Sequence, residues 1–184
     1  MKQQTALLVM DMQLGILQNF PSTGKVVETI KEAIEKARTN NIPVIYVRLF
    51  FRPGFPEISP GNKMFESFKQ QAAAIPMETY SQIHPDLAPG ENEIIVHKKR
   101  VSGFTGSDLE IVLRSLGINH LVLTGVATGG VVLSTLREAV DKDYAVTVLH
   151  DCCADRDEEV HRVLTTKVYP RQATVVSVSE WIPQ

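Results

Sequence analysis

Cysteine is nearly absent: the chain of 184 residues has two, side by side at Cys152 and Cys153. Two adjacent thiols cannot staple a secreted framework, so a reducing compartment and a cytoplasmic protein are expected. No apolar run approaches the roughly 18 residues of a membrane-spanning helix, and Ala6 to Met10 is too short for a signal segment, so no membrane partner is expected. Charge of one sign is lacking as well. The net charge is −2 and the lysines and arginines are scattered, without the basic footprint of a nucleic-acid binder. A small-molecule substrate is the expected partner. The five histidines (His84, His97, His120, His150, His161) show no ligand spacing, so no metal is expected, and no other cofactor. Repeats and low-complexity segments are also missing. Near-average apolar content at this length is enough for a full core in one domain, residues 1–184.

What is present is a steady alternation of strand and helix patterns. Thr5 to Met10 (TALLVM) reads as a strand buried on both faces that stops at Asp11. Ser22 or Thr23 offers an N-cap to a helix whose Val26, Val27, Ile30, Ala33, Ile34 and Ala37 recur at helical spacing up to Asn40–Asn41. VIYVRLF after Pro43 is a second strand. Its exit, FFRPGFPEISPGN, follows neither period and is read as a lid or wall of a pocket, with Arg52 either an anion contact or merely solvated. A helix over Lys63 to Ala74 and a turn-rich HPDLAPGEN lead to a third strand, Glu93 to His97. Lys98, Lys99 and Arg100 follow it and read as a solvated patch. Ser107 and Glu110 form a capping box for a helix that ends at Gly117.

The stretch from His120 to Ala139 is the expected centre. Leu121 to Thr124 is a fourth strand, Gly125 to Gly130 a turn, and a helix starts between Thr128 and Val131. Gly125, Gly129 and Gly130 allow positive φ or close approach of a ligand to the backbone. Such a turn at a strand's carboxyl end presents N–H donors and a helix N-terminus to the ligand crevice, although a tight connection without a ligand has the same spacing. A fifth strand, Ala145 to Leu149, a helix over Asp157 to Val168 and a sixth strand, Ala173 to Val178, complete the chain. The predicted architecture is a three-layer α/β/α sandwich with a mostly parallel six-stranded sheet. Asp11, Lys98 and the 125–131 turn then lie on one sheet edge, where an acid, an ammonium and backbone donors converge.

Three stretches in this order, ALLVMDMQ, IHPDLAPGENEIIVHKKRVSGFTGSDLEIVLR and LVLTGVATGGVVLSTLREAVDKDYAVTVLHDCCAD, resemble the isochorismatase-like hydrolases, or cysteine hydrolases. The likeness runs along nearly the whole chain. It implies a Rossmann-like fold with strand order 3-2-1-4-5-6 and self-association into a homo-oligomer. It further implies that Asp11 and Lys98 match the family's catalytic aspartate and lysine, and that the Val126–Ala127 peptide is the cis bond that shapes the oxyanion site.

The chain departs from that pattern at one decisive place. In amidase members, G-V-A-T-x-x-C-V carries the nucleophilic cysteine where this chain has Val131. An isopropyl group cannot attack a carbonyl, so thioester-forming amide hydrolysis fails at its first step. Cys152 or Cys153 as a substitute is disfavoured against two small buried residues. The aspartate and paired histidines of nicotinamidases are also missing, since RPGFPEISP stands in their place. What the resemblance leaves is the isochorismatase branch, whose members also lack the thiol and whose aspartate acts as a general acid, or a catalytically silent binding or structural member. Thr128, Gly129 and Gly130 are further pocket candidates, and Gln13, Ser102 and Phe104 either line the pocket or pack.

Overall fold

A computed structural model describes residues 3–20, 23–72 and 74–183. Its centre is a six-stranded sheet in which β1 (Thr5–Met10), β2 (Val44–Leu49), β3 (Ile94–Lys98), β4 (His120–Val126), β5 (Ala145–Ala154) and β6 (Thr174–Val176) run in the order β3-β2-β1-β4-β5-β6. Every pairing is parallel. Both faces are covered, as a parallel sheet requires. Leu7 and Val9 of β1 point to the face covered by α2 (Gly24–Thr39), and Leu8 and Met10 to the opposite face, under α5 (Leu109–Ser115) and α6 (Leu133–Asp141). The stripe Val26, Val27, Ile30, Ala33, Ile34 and Ala37 is the buried side of α2. Ser22 lies outside the described residues, and Thr23 makes no side-chain cap. Among the described residues no helix is long and apolar enough to cross a membrane.

The strand order reverses at β1, which lies between β2 and β4, and this opens a crevice at the carboxyl ends of β1 and β4. Met10 pairs with Gly125 there. Gly125 has φ +126°, and a Cβ on it would lie 2.0 Å from the Met10 carbonyl oxygen, so glycine is required where the two strands end.

Several local expectations need correction. β5 does not stop at Leu149 but continues to Ala154, because Cys152 and Cys153 are buried and Cys153 pairs with Gly125. The capping box does not form. Glu110 is drawn to Lys142 at 2.7 Å, while the Ser107 hydroxyl donates to the Gly103 carbonyl at 2.6 Å. Two short helices, α1 (Leu14–Leu17) and α4 (Met77–Tyr80), pack together and were not expected. Asp157 does cap α7 (Glu158–Val163), its carboxylate accepting from the Glu159 N–H at 2.9 Å.

Lys99 and Arg100 are not a solvated patch. Lys99 donates to the Phe50 carbonyl, and Arg100 donates to the Glu57 carbonyl at 2.9 Å with its guanidinium over the Phe65 ring. They fasten the loop after β2. That loop packs Phe51, Phe55 and Ile58 against Phe65 and Phe68 of α3 (Lys63–Ala72), a cluster that holds α3 in place.

Candidate active site

Asp11 is the first residue beyond β1 and has φ +56°, a backbone conformation that non-glycine residues seldom adopt. It is 6 % exposed. Lys98, at the end of β3 on the sheet edge, reaches back across β2, and its Nζ lies 2.9 Å from Asp11 Oδ2. The same ammonium donates to the carbonyls of Arg100 at 2.9 Å and Val101 at 3.2 Å. An ammonium has three protons, so all are engaged. Asp11 Oδ1, by contrast, is buried with no hydrogen-bond partner. Burial raises the Asp11 pKa, and the Lys98 charge opposes this without cancelling it. Because Oδ2 accepts from Lys98, a proton taken up by this carboxyl goes to Oδ1.

Across the crevice the Val126–Ala127 peptide is cis. It leads into a wide turn, Thr128–Val132, with a kink at Gly130 (φ −103°, ψ −108°), and this turn runs into α6. The sequence suggested that its amides would hold an anion. Two of them are already taken: the Gly129 N–H donates to Asp155 Oδ2 at 2.6 Å, and the Gly130 N–H to the Ala127 carbonyl at 3.0 Å. Thr128 is fully buried and braced from behind. Its hydroxyl meets His161 Nδ1 at 2.8 Å, and its carbonyl accepts from the Tyr169 hydroxyl at 2.6 Å.

Between these two walls is a cavity of about 650 Å³. Asp11 and Lys98 line it on one side and Val126, Ala127, Gly130 and Val131 on another. The remaining walls are Phe20, Phe65, Phe68 and Tyr80, with Lys63, Asp155 and Arg156 also facing the space. Burial, with the Asp11 carboxylate nearby, pushes the Tyr80 hydroxyl up to about 12, so it stays protonated near neutral pH. The Tyr80 ring rests on Gly15, where a Cβ would lie 2.3 Å from Cδ2. Gly15→Ala is therefore expected to displace this wall and cost about 1–3 kcal/mol. Urea unfolding checks this, and an unchanged midpoint would refute the contact.

Several candidates from the sequence do not reach the cavity. Gln13 is fully buried, and its amide both accepts from the Leu49 N–H at 2.7 Å and donates to the Leu49 carbonyl at 2.9 Å, tying β1 to β2. Phe104 belongs to the core under α5 and α6, and the Ser102 hydroxyl accepts from the Phe104 N–H. Arg52 is outside, paired with Glu57 at 2.7 Å with its side chain 71 % exposed. Thr128 and Gly129 shape the turn without lining the space, and of the three expected turn residues only Gly130 does. The loop after β2 supports the wall, and α3 forms it. Tyr80, Asp155 and Arg156 went unread in the sequence. No cysteine lines the cavity; burial pushes the Cys153 thiol up to about 12 and the Cys152 thiol further in the same direction.

A family model described as the isochorismatase domain matches residues 5–180. An uncharacterised isochorismatase family protein, YecD of Escherichia coli O157:H7, is 32% identical over 187 residues, covering 96% of this chain and 93% of that one. The ureidoacrylate amidohydrolase RutB of Caulobacter vibrioides is 35% identical over 169 residues, 80% of this chain and 75% of that one. Among solved structures, a cysteine hydrolase from Pseudomonas syringae pv. phaseolicola superposes with a TM-score of 0.88 at 25% identity, over 96% of this chain and 90% of that one.

Proposed function

Because this chain belongs to the isochorismatase family, we propose that it hydrolyses a small molecule without a thiol, using Asp11 as general acid and base and Lys98 as its electrostatic partner. One observation carries this reading. Asp11 is buried beside the cavity with Oδ2 held by Lys98 and Oδ1 unpartnered, and no cysteine lines the space.

The chemistry that fits is hydrolysis of an enolpyruvyl ether such as isochorismate. Asp11, protonated on Oδ1, gives its proton to the terminal vinyl carbon and leaves an oxocarbenium at the ether carbon. Water adds to that carbon and returns a proton to Asp11. The hemiketal collapses with transfer of a proton to the ether oxygen, and the products are pyruvate and the ring alcohol. No covalent enzyme intermediate is formed. Lys98, with every proton engaged, stays in place and limits how far burial raises the Asp11 pKa. The amide-cleaving relative RutB supports hydrolysis as the reaction type, whereas Val131, where the resemblance puts the amidase thiol, supports a route that needs none.

Incubation of the purified protein with isochorismate, followed by assay of pyruvate, tests the enolpyruvyl ether chemistry; no release removes that activity. Val131→Cys tests the position itself. The natural chain is expected to take up almost no iodoacetamide under native conditions, since both cysteines are buried with raised pKa values. Val131, although only 1 % exposed, lines the cavity where neither cysteine does, so the variant is expected to label faster than the natural chain, and labelling no faster would place Val131 away from the reactive position.

A further inference from the structure

The cavity leaves two cationic side chains without an acidic partner. Asp11 and Lys98 are paired, and Asp155 accepts from the N–H groups of Gly129 and Arg156. Lys63 and Arg156 both face the space, and among the described residues neither lies in an ion pair. With Asp11 ionised the five charged lining residues sum to one positive charge, and with Asp11 protonated to two. The site therefore favours an anion.

The obvious donors for that anion are already engaged. Lys98 has no free proton, and the amides of Gly129 and Gly130 have partners within the chain. Among the described residues the Arg156 guanidinium has no hydrogen-bond or ion-pair partner, and its fork is the geometry that matches a carboxylate bidentately. Its position is held at both ends. The Arg156 N–H donates to Asp155 Oδ1 at 2.8 Å while the other oxygen of that carboxylate grips the turn at Gly129, and the guanidinium carbon lies 5.7 Å from the centre of the Phe20 ring. Phe65 and Phe68 line the same cavity of about 650 Å³ and give it apolar walls.

We propose that Arg156 is a specificity-determining residue that binds a carboxylate of the substrate at the mouth of the cavity, with its guanidinium carried on Phe20. This rests on the same cavity being the substrate site, and it narrows the substrate class to ring-bearing carboxylate anions. Asp155 is then a positioning residue that links the anion contact to the turn opposite Asp11.

The test uses a probe that cannot react, 3-(1-carboxyethoxy)benzoate, whose saturated ether has no vinyl carbon to protonate, and its diamide as the neutral isostere. Isothermal titration of the full chain is expected to show that Arg156→Leu weakens binding of the acid by about tenfold or more and changes binding of the diamide by less than about twofold. Arg156→Lys, which keeps the charge and loses the fork, is expected to fall between. Equal losses for acid and diamide, no loss for the acid, or no binding of the acid by the natural chain would each overturn the proposal. Because the probe is inert, an Asp11 mechanism that fails leaves this difference intact, and loss of the difference leaves pyruvate release by the natural chain unaffected.

Discussion

Asp11→Asn is expected to lower kcat/KM for pyruvate release from isochorismate by about 10²–10⁴-fold, the usual contribution of a positioned general acid. The amide is nearly the same size as the carboxyl, and its oxygen can still accept from Lys98, which now lies 2.9 Å from Oδ2. Its nitrogen then occupies the place of Oδ1 and has no proton acidic enough to transfer. Steady-state assay with the folded variant checks this. A fall of less than about tenfold would show that Asp11 orients the pocket and does not move the proton.

Lys98→Met is expected to do two things at once. Breaking a buried ion pair by removing one partner costs about 3–5 kcal/mol, and here both side chains are under one-tenth exposed. The sign of its pH dependence follows from the raised Asp11 pKa. A carboxyl whose folded pKa lies above its unfolded value stabilises the fold below the unfolded pKa, and that stability is lost as pH rises through the folded pKa. Removing Lys98 takes away the charge that opposes the rise, so the window widens upward and the deficit of the variant grows with pH. The second effect is on turnover. If Asp11 acts as an acid, kcat/KM falls on the alkaline side as Asp11 ionises, and Lys98→Met moves that fall to higher pH. A limb that moves to lower pH, or one that instead rises with pH, would assign Asp11 a different protonation state in the reaction.

The sheet, its order and the pair at its centre were legible because their signals are local or carried by the resemblance. TALLVM ends abruptly in Asp11, and EIIVH leads into Lys98. The neighbours that build the cavity were less legible, for identifiable reasons. Tyr80 sits on a helix of four residues, too short to show a helical period. Asp155 and Arg156 follow a strand that appeared to end at Leu149, because Asp151 interrupts an apolar run that resumes in two buried cysteines. Gln13 and Arg52 lie beside the motifs and looked equally eligible; one bonds the backbone of β2 and the other faces solvent, and only the packed chain separates them. The anion cradle of the glycine turn was a sound inference from helix N-termini, but it did not anticipate that Asp155 would occupy it.

The most direct measurement is pyruvate released from isochorismate by the natural chain, by the folded double variant Cys152→Ala/Cys153→Ala and by Asp11→Asn. A thiol-free acid mechanism requires release by the natural chain and by the double variant, and its loss in Asp11→Asn. No release by the natural chain would contradict it and leave a silent, binding member of the family, release lost in the double variant would contradict a thiol-free route, and release that survives Asp11→Asn would contradict the role given to Asp11.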